Sequence, residues 1–196
     1  PELPATTLAD YCYQAMFNGC TSLVTAPELP ATTLAGSCYW GMFYGCTSLV
    51  SAPKLPATTL AGSCYSEMFS GCTNLQAAPE LPATTLADLC YSNIFSNCTS
   101  LQTAPKLPAT SLTEKCYNGM FYGCTSLNYV KALFTTTPSD TYTKDWLSGV
   151  SSTGTFVKSS DATWYVRGAN GIPEGWTVES ETSISQSEPT TEEELF

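Results

Sequence analysis

The stretch PELPATTLAGSCYWGMFYGCTSLVSA, which spans positions 27–52, is one copy of a unit that recurs five times in tandem from the first residue. The five copies open at evenly spaced prolines: Pro1, Pro27, Pro53, Pro79 and Pro105. Twelve of the 26 positions are identical in all five copies. A fixed period of this length is typical of solenoids, in which each copy completes its core against its neighbours. We number the copies 1 to 5 and the positions within each copy 1 to 26.

The spacing of apolar residues at positions 7 to 17 predicts a short helix in each copy. In copy 1, Leu8, Cys12 and Met16 lie four residues apart, and Tyr13 and Phe17 extend the same face. Threonines at positions 6 and 7 can cap the helix N-terminus. The glycine at position 19 can adopt the left-handed conformation that ends a helix.

Positions 21 to 26 are rich in β-forming residues and stop at the proline of the next copy, which cannot donate to a sheet. One short strand and one short helix per 26-residue repeat predict an α/β fold: a right-handed leucine-rich-repeat-like solenoid with a parallel sheet on one side. Freely varying positions, among them 10, 11, 14, 15 and 18, are expected to face solvent.

The sequence predicts three regions. Residues 1–130 form the five repeats, and residues 131–178 form a β-rich C-terminal capping segment, with strands expected within 149–157 and at 163–167. The open end of a solenoid exposes apolar surface and needs such a cover. Residues 179–196, rich in Ser, Thr and Glu, are expected to be a disordered tail or a connector.

The charge balance argues against a nucleic-acid partner. The formal net charge is −10, but the segment 179–196 holds six glutamates and no basic residue. The remainder, with 7 basic and 11 acidic residues, offers no basic stripe for a phosphate backbone. No apolar run is long enough to span a membrane, and no signal peptide is visible.

The residue pattern of the repeat resembles that of the BspA-like leucine-rich repeats of bacterial surface proteins. The most recognisable stretch of that family is similar to MFYGCTSL at residues 42–49 and its equivalents in the other copies. The resemblance implies a cell-surface or extracellular location on the bacterial outer envelope. A virion surface is the alternative, because similar arrays occur in bacteriophage genomes.

The ten cysteines fall at positions 12 and 20 of every copy. Reduced thiols packed as small apolar groups are the favoured interpretation. Bridges within a copy are an alternative, but eight residues of helix would hold the two cysteines about 12 Å apart. A metal site is disfavoured, because the chain has no histidine and no CxxC pair.

No catalytic residue, cofactor site or metal site is predicted. Without histidine the chain cannot build a Ser-His or Cys-His nucleophile, and it carries no phosphate loop or dinucleotide fingerprint. The predicted turns hold Asp140, Asp145 and Asp161, for which backbone capping is the ordinary role and a calcium site the alternative. The chain is therefore predicted not to be an enzyme.

Three aromatic residues at varying positions are the candidate partner-binding residues: Trp40, Tyr44 and Tyr122. The predicted function is a surface-exposed binding or adhesion module that offers a solenoid face to a protein or glycan on a host or neighbouring cell. The alternative is a structural spacer or stalk of a cell-surface protein or bacteriophage fibre.

Overall fold

The computed structural model describes residues 3–181, and this part of the chain contains no α-helix. The prediction of an α/β solenoid with one helix per repeat is therefore wrong. The strands are β1 (Tyr129–Ala132), β2 (Gly154–Lys158) and β3 (Trp176–Ser180). They form one parallel sheet in the order β1-β2-β3, at the C-terminal end of the stacked copies.

A chain of overlapping turns replaces the predicted helix. Within copy 2, the N–H of Trp40 donates to the Ser37 carbonyl at 3.2 Å, and the N–H of Met42 donates to the Tyr39 carbonyl at 3.2 Å. The alternate N–H groups point to the next copy, and Phe43 N–H donates to the Met68 carbonyl at 2.9 Å. The backbone N–H groups of this segment are thus divided between turns within a copy and bonds between copies.

The left-handed backbone conformation recurs every four residues in this segment. In copy 2 it occurs at Ser37, Gly41 and Gly45, with φ of 51°, 58° and 68°. An α-helix cannot contain such residues, because its backbone is right-handed throughout. The four-residue apolar spacing reflects this four-residue backbone period and not the 3.6-residue period of a helix.

Identical side chains stack in ladders through the core. Adjacent tyrosine rings at position 13 lie 5.8 to 6.2 Å apart between centroids, and adjacent phenylalanine rings at position 17 lie 5.5 to 5.8 Å apart. All these pairs are stacked. Within residues 3–181, copy 1 packs against copy 2 alone, and there Tyr13 and Phe17 are half-buried, whereas their equivalents in copies 2 to 5 are buried.

The ten cysteines are free thiols, of which Cys12 and Cys20 are exposed and the other eight are buried. At position 20, the thiol of Cys72 donates to the Phe43 carbonyl at 3.1 Å, and Cys46, Cys98 and Cys124 repeat this contact. Because no helix separates the two cysteines of a copy in residues 3–181, the distance of about 12 Å expected for eight helical residues does not apply to them.

The predicted strand at positions 21 to 26 is reduced to single bridges between neighbouring copies, as at Thr25 with Ser51 and Ser51 with Ala77. The prolines at positions 1 and 4 of the following copy lack N–H donors, which prevents a longer ladder. Thr103 bridges Tyr129, the first residue of β1, so the sheet continues this column of bridges. Residues 163–167 form no strand, and Arg167 makes only a single bridge with Ile172.

The turn geometry continues beyond copy 5. Asp145 and Gly149 lie one repeat length after Gly119 and Gly123, and they share their positive φ, at 55° and 76°. The Gly119 N–H donates to the Lys144 carbonyl at 2.8 Å, and the Phe121 N–H to that of Trp146 at 2.9 Å. A sixth coil therefore stacks on copy 5 although its sequence has lost the repeat.

Tryptophans close this end of the stack. Their indole N–H groups donate to distant backbone carbonyls: Trp146 to Gly171 at 2.8 Å, Trp164 to Phe134 at 3.1 Å, and Trp176 to Ser151 at 2.8 Å. All three side chains are buried. Each one joins a different part of the C-terminal segment to the end of the coil stack.

Candidate functional site

The three aromatic residues singled out from the sequence lie in one strip of the turn segment, at positions 14 and 18 of copies 1 to 5, which we call the 14/18 row. Tyr44 is 43% exposed and Tyr122 is 47% exposed, and both occupy position 18. Trp40, at position 14, is half-buried. The structure places Trp40 and Tyr44 in copy 2 and Tyr122 in copy 5, so it does not gather the three into one cluster.

The middle of the 14/18 row holds serines that are buried, contrary to the expectation that every varying position faces solvent. Ser66 and Ser92 occupy position 14 and Ser70 and Ser96 position 18 of copies 3 and 4. The Ser66 hydroxyl donates to the Ser92 carbonyl at 3.2 Å, which satisfies it within the array. The row therefore has exposed aromatic residues near its two ends and short polar side chains between them.

A depression of about 450 Å³ lies beside Tyr122. Its lining includes the buried Gly119, at position 15, and the residues at the same position of the two adjacent coils, Asn93 of copy 4 and Asp145 of the sixth coil. Asn118 and Asp140 also line it. We call this feature the Gly119 depression.

The side chain of Asn93 leans over Gly119, because a Cβ built on Gly119 would overlap Asn93 Oδ1. The Asn93 amide group is held there by its own donation to the Ser92 hydroxyl at 3.2 Å. One wall of the depression is thus an amide group whose orientation is set by a neighbouring side chain.

Asn170 holds the opposite wall. Its side-chain oxygen accepts from the Asp145 N–H at 3.1 Å, and its side-chain nitrogen donates to Asp140 Oδ1. Its own backbone carbonyl accepts from the buried Thr143 hydroxyl at 2.7 Å. One asparagine, anchored in the cap, therefore fixes the carboxylate of Asp140 and the backbone of Asp145.

The charges around the Gly119 depression balance. Lys115 and Lys144 contribute two amines and Asp140 and Asp145 contribute two carboxylates. Both lysines are exposed, and the Lys115 amine also contacts the neighbouring Glu114 carboxylate at 3.3 Å. The lining therefore offers both hydrogen-bond donors and acceptors, and its own charges sum to zero.

No family model, curated protein or solved structure matches this chain. The resemblance to BspA-like repeats therefore stays a prediction that rests on the residues of the repeat alone. What the surface does has to be argued from its own chemistry.

Two other surface features are less suited to be a site. An open groove of about 800 Å³ runs along copies 3 to 5, lined by residues such as Ala77, Gln102 and Ser126 and by no aromatic side chain. Smaller grooves lie along the prolines near Lys54 and Glu80. Neither type of groove combines an aromatic ring with charged groups on several sides, as the Gly119 depression does.

Within residues 3–181, no three His, Cys, Asp or Glu side chains come together in a group that could hold a metal ion. Asp140 and Asp145 are held by Asn170, and Asp161 is an exposed turn residue whose N–H donates to the Ser159 hydroxyl at 3.2 Å. In the same part of the chain, no helix is long and apolar enough to cross a lipid bilayer.

Sequence reasoning identified Tyr122 but missed the residues around it. Asn93, Gly119 and Asp145 follow one another at intervals of one repeat length, which places them at the same position of successive coils. This signal was present in the sequence. The repeat pattern of apolar residues nevertheless ends before Asp145, so the sequence pattern predicts a turn residue of the cap at that position.

Proposed function

We propose that the chain is a non-enzymatic binding module displayed on a cell surface, and that the 14/18 row is the face it offers to a protein or glycan partner. The observation that carries this proposal is the exposure of Tyr44 and Tyr122 at a position where copies 3 and 4 carry serine. Because serine supports the same coil, the fold does not require an aromatic residue there. Exposed aromatic side chains that the fold does not need are typical of binding surfaces.

The rest of the array is accounted for by stacking. The invariant Leu, Cys, Tyr and Phe positions fill the core of copies 2 to 5, and the backbone groups of the turns bond within and between coils. We therefore assign partner binding to the varying positions and to the C-terminal cap. The rigid ladder would hold the row in a fixed shape, which lowers the entropic cost of binding.

The test compares wild-type protein with the triple variant Trp40→Ser, Tyr44→Ser, Tyr122→Ser for binding to bacterial cells, immobilised matrix proteins and immobilised oligosaccharides. A matched control is Tyr11→Ser, because Tyr11 is 63% exposed and lies outside the row, at a position where Ser37 and Ser63 occur in copies 2 and 3. We expect the triple variant to lose binding and the control to keep it, with unfolding midpoints of the two variants close to that of the wild type.

The alternative function is a spacer or stalk, in a cell-surface protein or a bacteriophage fibre. It is favoured by the uninterrupted ladders of stacked rings, which make a stiff rod of near-identical coils. A pure spacer would bind none of the three kinds of surface, and the triple variant would behave like the wild type in every assay. That outcome would end the binding proposal.

A further inference from the structure

We propose that the Gly119 depression binds one uncharged sugar residue of a glycan, with the Tyr122 ring against the apolar face of the sugar. This inference rests on the proposed binding function and names the class of ligand for one part of the row. The depression, of about 450 Å³, lies in the range of natural small-molecule sites.

The lining has the composition that a sugar requires. A pyranose carries hydroxyl groups around its edge, each of which can donate and accept, and C–H groups on its faces. Asp140 and Asp145 accept hydrogen bonds, the amines of Lys115 and Lys144 donate, and the amides of Asn93 and Asn118 do both. Hydrogen bonds to charged groups are the stronger ones, so few of them suffice for a weak specific site.

Tyr122 supplies the apolar contact. It is 47% exposed and is the only large aromatic or aliphatic side chain in the described lining of the depression. The face of an aromatic ring carries partial negative charge, which favours the slightly positive C–H groups of a sugar face. An apolar peptide side chain would find no second apolar wall here.

The balance of charge argues against a charged ligand. The two carboxylates oppose an anionic group such as a phosphate or sulfate, and the two lysines oppose a cation. A neutral polyhydroxylated ligand can use both kinds of group at once. The lining thus favours an uncharged sugar over an acidic one.

The site is also held in shape before a ligand arrives. Asn170 fixes Asp140 and the Asp145 backbone, and Ser92 fixes the Asn93 amide. Groups that are already oriented lose little freedom on binding, which raises affinity for a small ligand.

The experiment measures binding of the full chain to an array of neutral oligosaccharides that contain glucose, galactose, mannose or N-acetylglucosamine, followed by titration with each positive sugar. Tyr122→Ser, Asp145→Asn and Gly119→Ala test the site. Serine occurs at position 18 in copies 3 and 4, asparagine tolerates the left-handed conformation of Asp145, and Ala15 occupies the position of Gly119 with φ of 52°. Tyr11→Ser is the matched control, because it removes the same kind of exposed side chain at a position outside the 14/18 row where copies 2 and 3 carry serine.

We expect at least one neutral sugar to bind, and each of the three site variants to weaken that binding about tenfold or more, since each removes or displaces a group that contacts the ligand. Tyr11→Ser should leave the affinity unchanged. The inference is overturned if no neutral sugar binds, if only acidic polysaccharides bind, or if the site variants bind like the wild type. If cells or matrix proteins bind through Trp40 and Tyr44 but no sugar on the array is bound, the sugar inference fails and the proposed binding function stands.

Discussion

The N–H of Gly41 donates to the carbonyl oxygen of Ser66 in the next copy at 2.9 Å, while φ of Gly41 is 58°. In a helix the same N–H would bond four residues back along the chain. This one contact therefore distinguishes the stacked-turn structure from the helical repeat that the apolar spacing suggests.

Gly41→Ala is expected to destabilise the protein by about 1 kcal/mol, because alanine is strained in the left-handed conformation. Space is not the obstacle, since a Cβ at Gly41 would meet only the Tyr44 Cβ, at 3.9 Å. In a helix the same change would stabilise by about 1 kcal/mol, so the sign of the effect in urea unfolding decides between the two structures. Gly62→Ala, at a glycine without positive φ and with ordinary contacts, should change the stability by about 0.5 kcal/mol or less.

The phenylalanine ladder predicts that the stability lost when a ring is removed depends on the position of that ring in the stack. Phe69→Ala removes a fully buried ring that stacks on Phe43 and Phe95, and we expect a loss of about 3–5 kcal/mol in the free energy of unfolding. Phe17→Ala removes a half-buried ring with one stacked neighbour, Phe43, and should cost about half as much. Equal losses in the two variants, measured by urea unfolding, would mean that the ladder does not stabilise the stack as described.

The sequence allowed the core positions to be predicted but not the backbone that connects them. Leucine, cysteine, tyrosine and phenylalanine at fixed positions indicate a repeated buried surface, and these residues form the core of copies 2 to 5. Over nine residues, however, periods of 3.6 and 4.0 both place apolar residues four apart. The two cysteines of each copy distinguish the two periods. On a helix, two positions eight residues apart point in directions that differ by about 80°, so both would not be expected to be fully buried. Cys38 and Cys46 are nevertheless both fully buried.

The candidate site could be predicted only in part for a similar reason. The varying character of position 18 predicts the exposure of Tyr44 and Tyr122, although the serines of copies 3 and 4 at that position are buried. The contact of Asn93 with Gly119 and the place of Asp145 depend on which residues face each other in adjacent coils. The 26-residue spacing places these residues at one position of successive coils, but only the backbone hydrogen bonds of Gly119 and Phe121 show that a coil follows copy 5, because its sequence has lost the apolar repeat.

The buried thiols predict a loss of stability in alkaline solution. Burial raises the pKa of Cys64 and of Cys72 from 9.0 to about 12, and that of Cys46 from 9.0 to about 11. An unfolded chain releases these protons from about pH 9, whereas the folded chain keeps them. The stabilisation is therefore complete below pH 9 and is lost as the pH rises from 9 towards 11 to 12. Urea midpoints should fall steadily above pH 9, and a flat profile up to pH 11 would contradict the burial of these thiols.

The same burial predicts which cysteines react. Cys12 and Cys20 are exposed at the open end of copy 1, and the other eight cysteines are buried. Alkylation of the native protein without reductant should modify these two rapidly and the remaining eight only after unfolding. Mass spectrometry of digested protein measures this directly. Fewer than ten modified cysteines after unfolding without reductant would instead reveal disulfides.

The C-terminal cap depends on the indole N–H of Trp164, which donates to the carbonyl of the buried Phe134 at 3.1 Å. The Trp164 ring also stacks on the Phe134 ring, with centroids 5.2 Å apart. Trp164→Phe keeps an aromatic ring in place but leaves the buried carbonyl without its donor, so we expect a loss of about 1–3 kcal/mol in the free energy of unfolding. Trp164→Ala removes the ring as well and should cost more, about 3–5 kcal/mol. Tyr11→Phe, which removes an exposed hydroxyl from copy 1, is the control and should lie within about 0.5 kcal/mol of wild type. If Trp164→Phe were as stable as the wild type, the hydrogen bond to Phe134 would not contribute to closing this end of the stack.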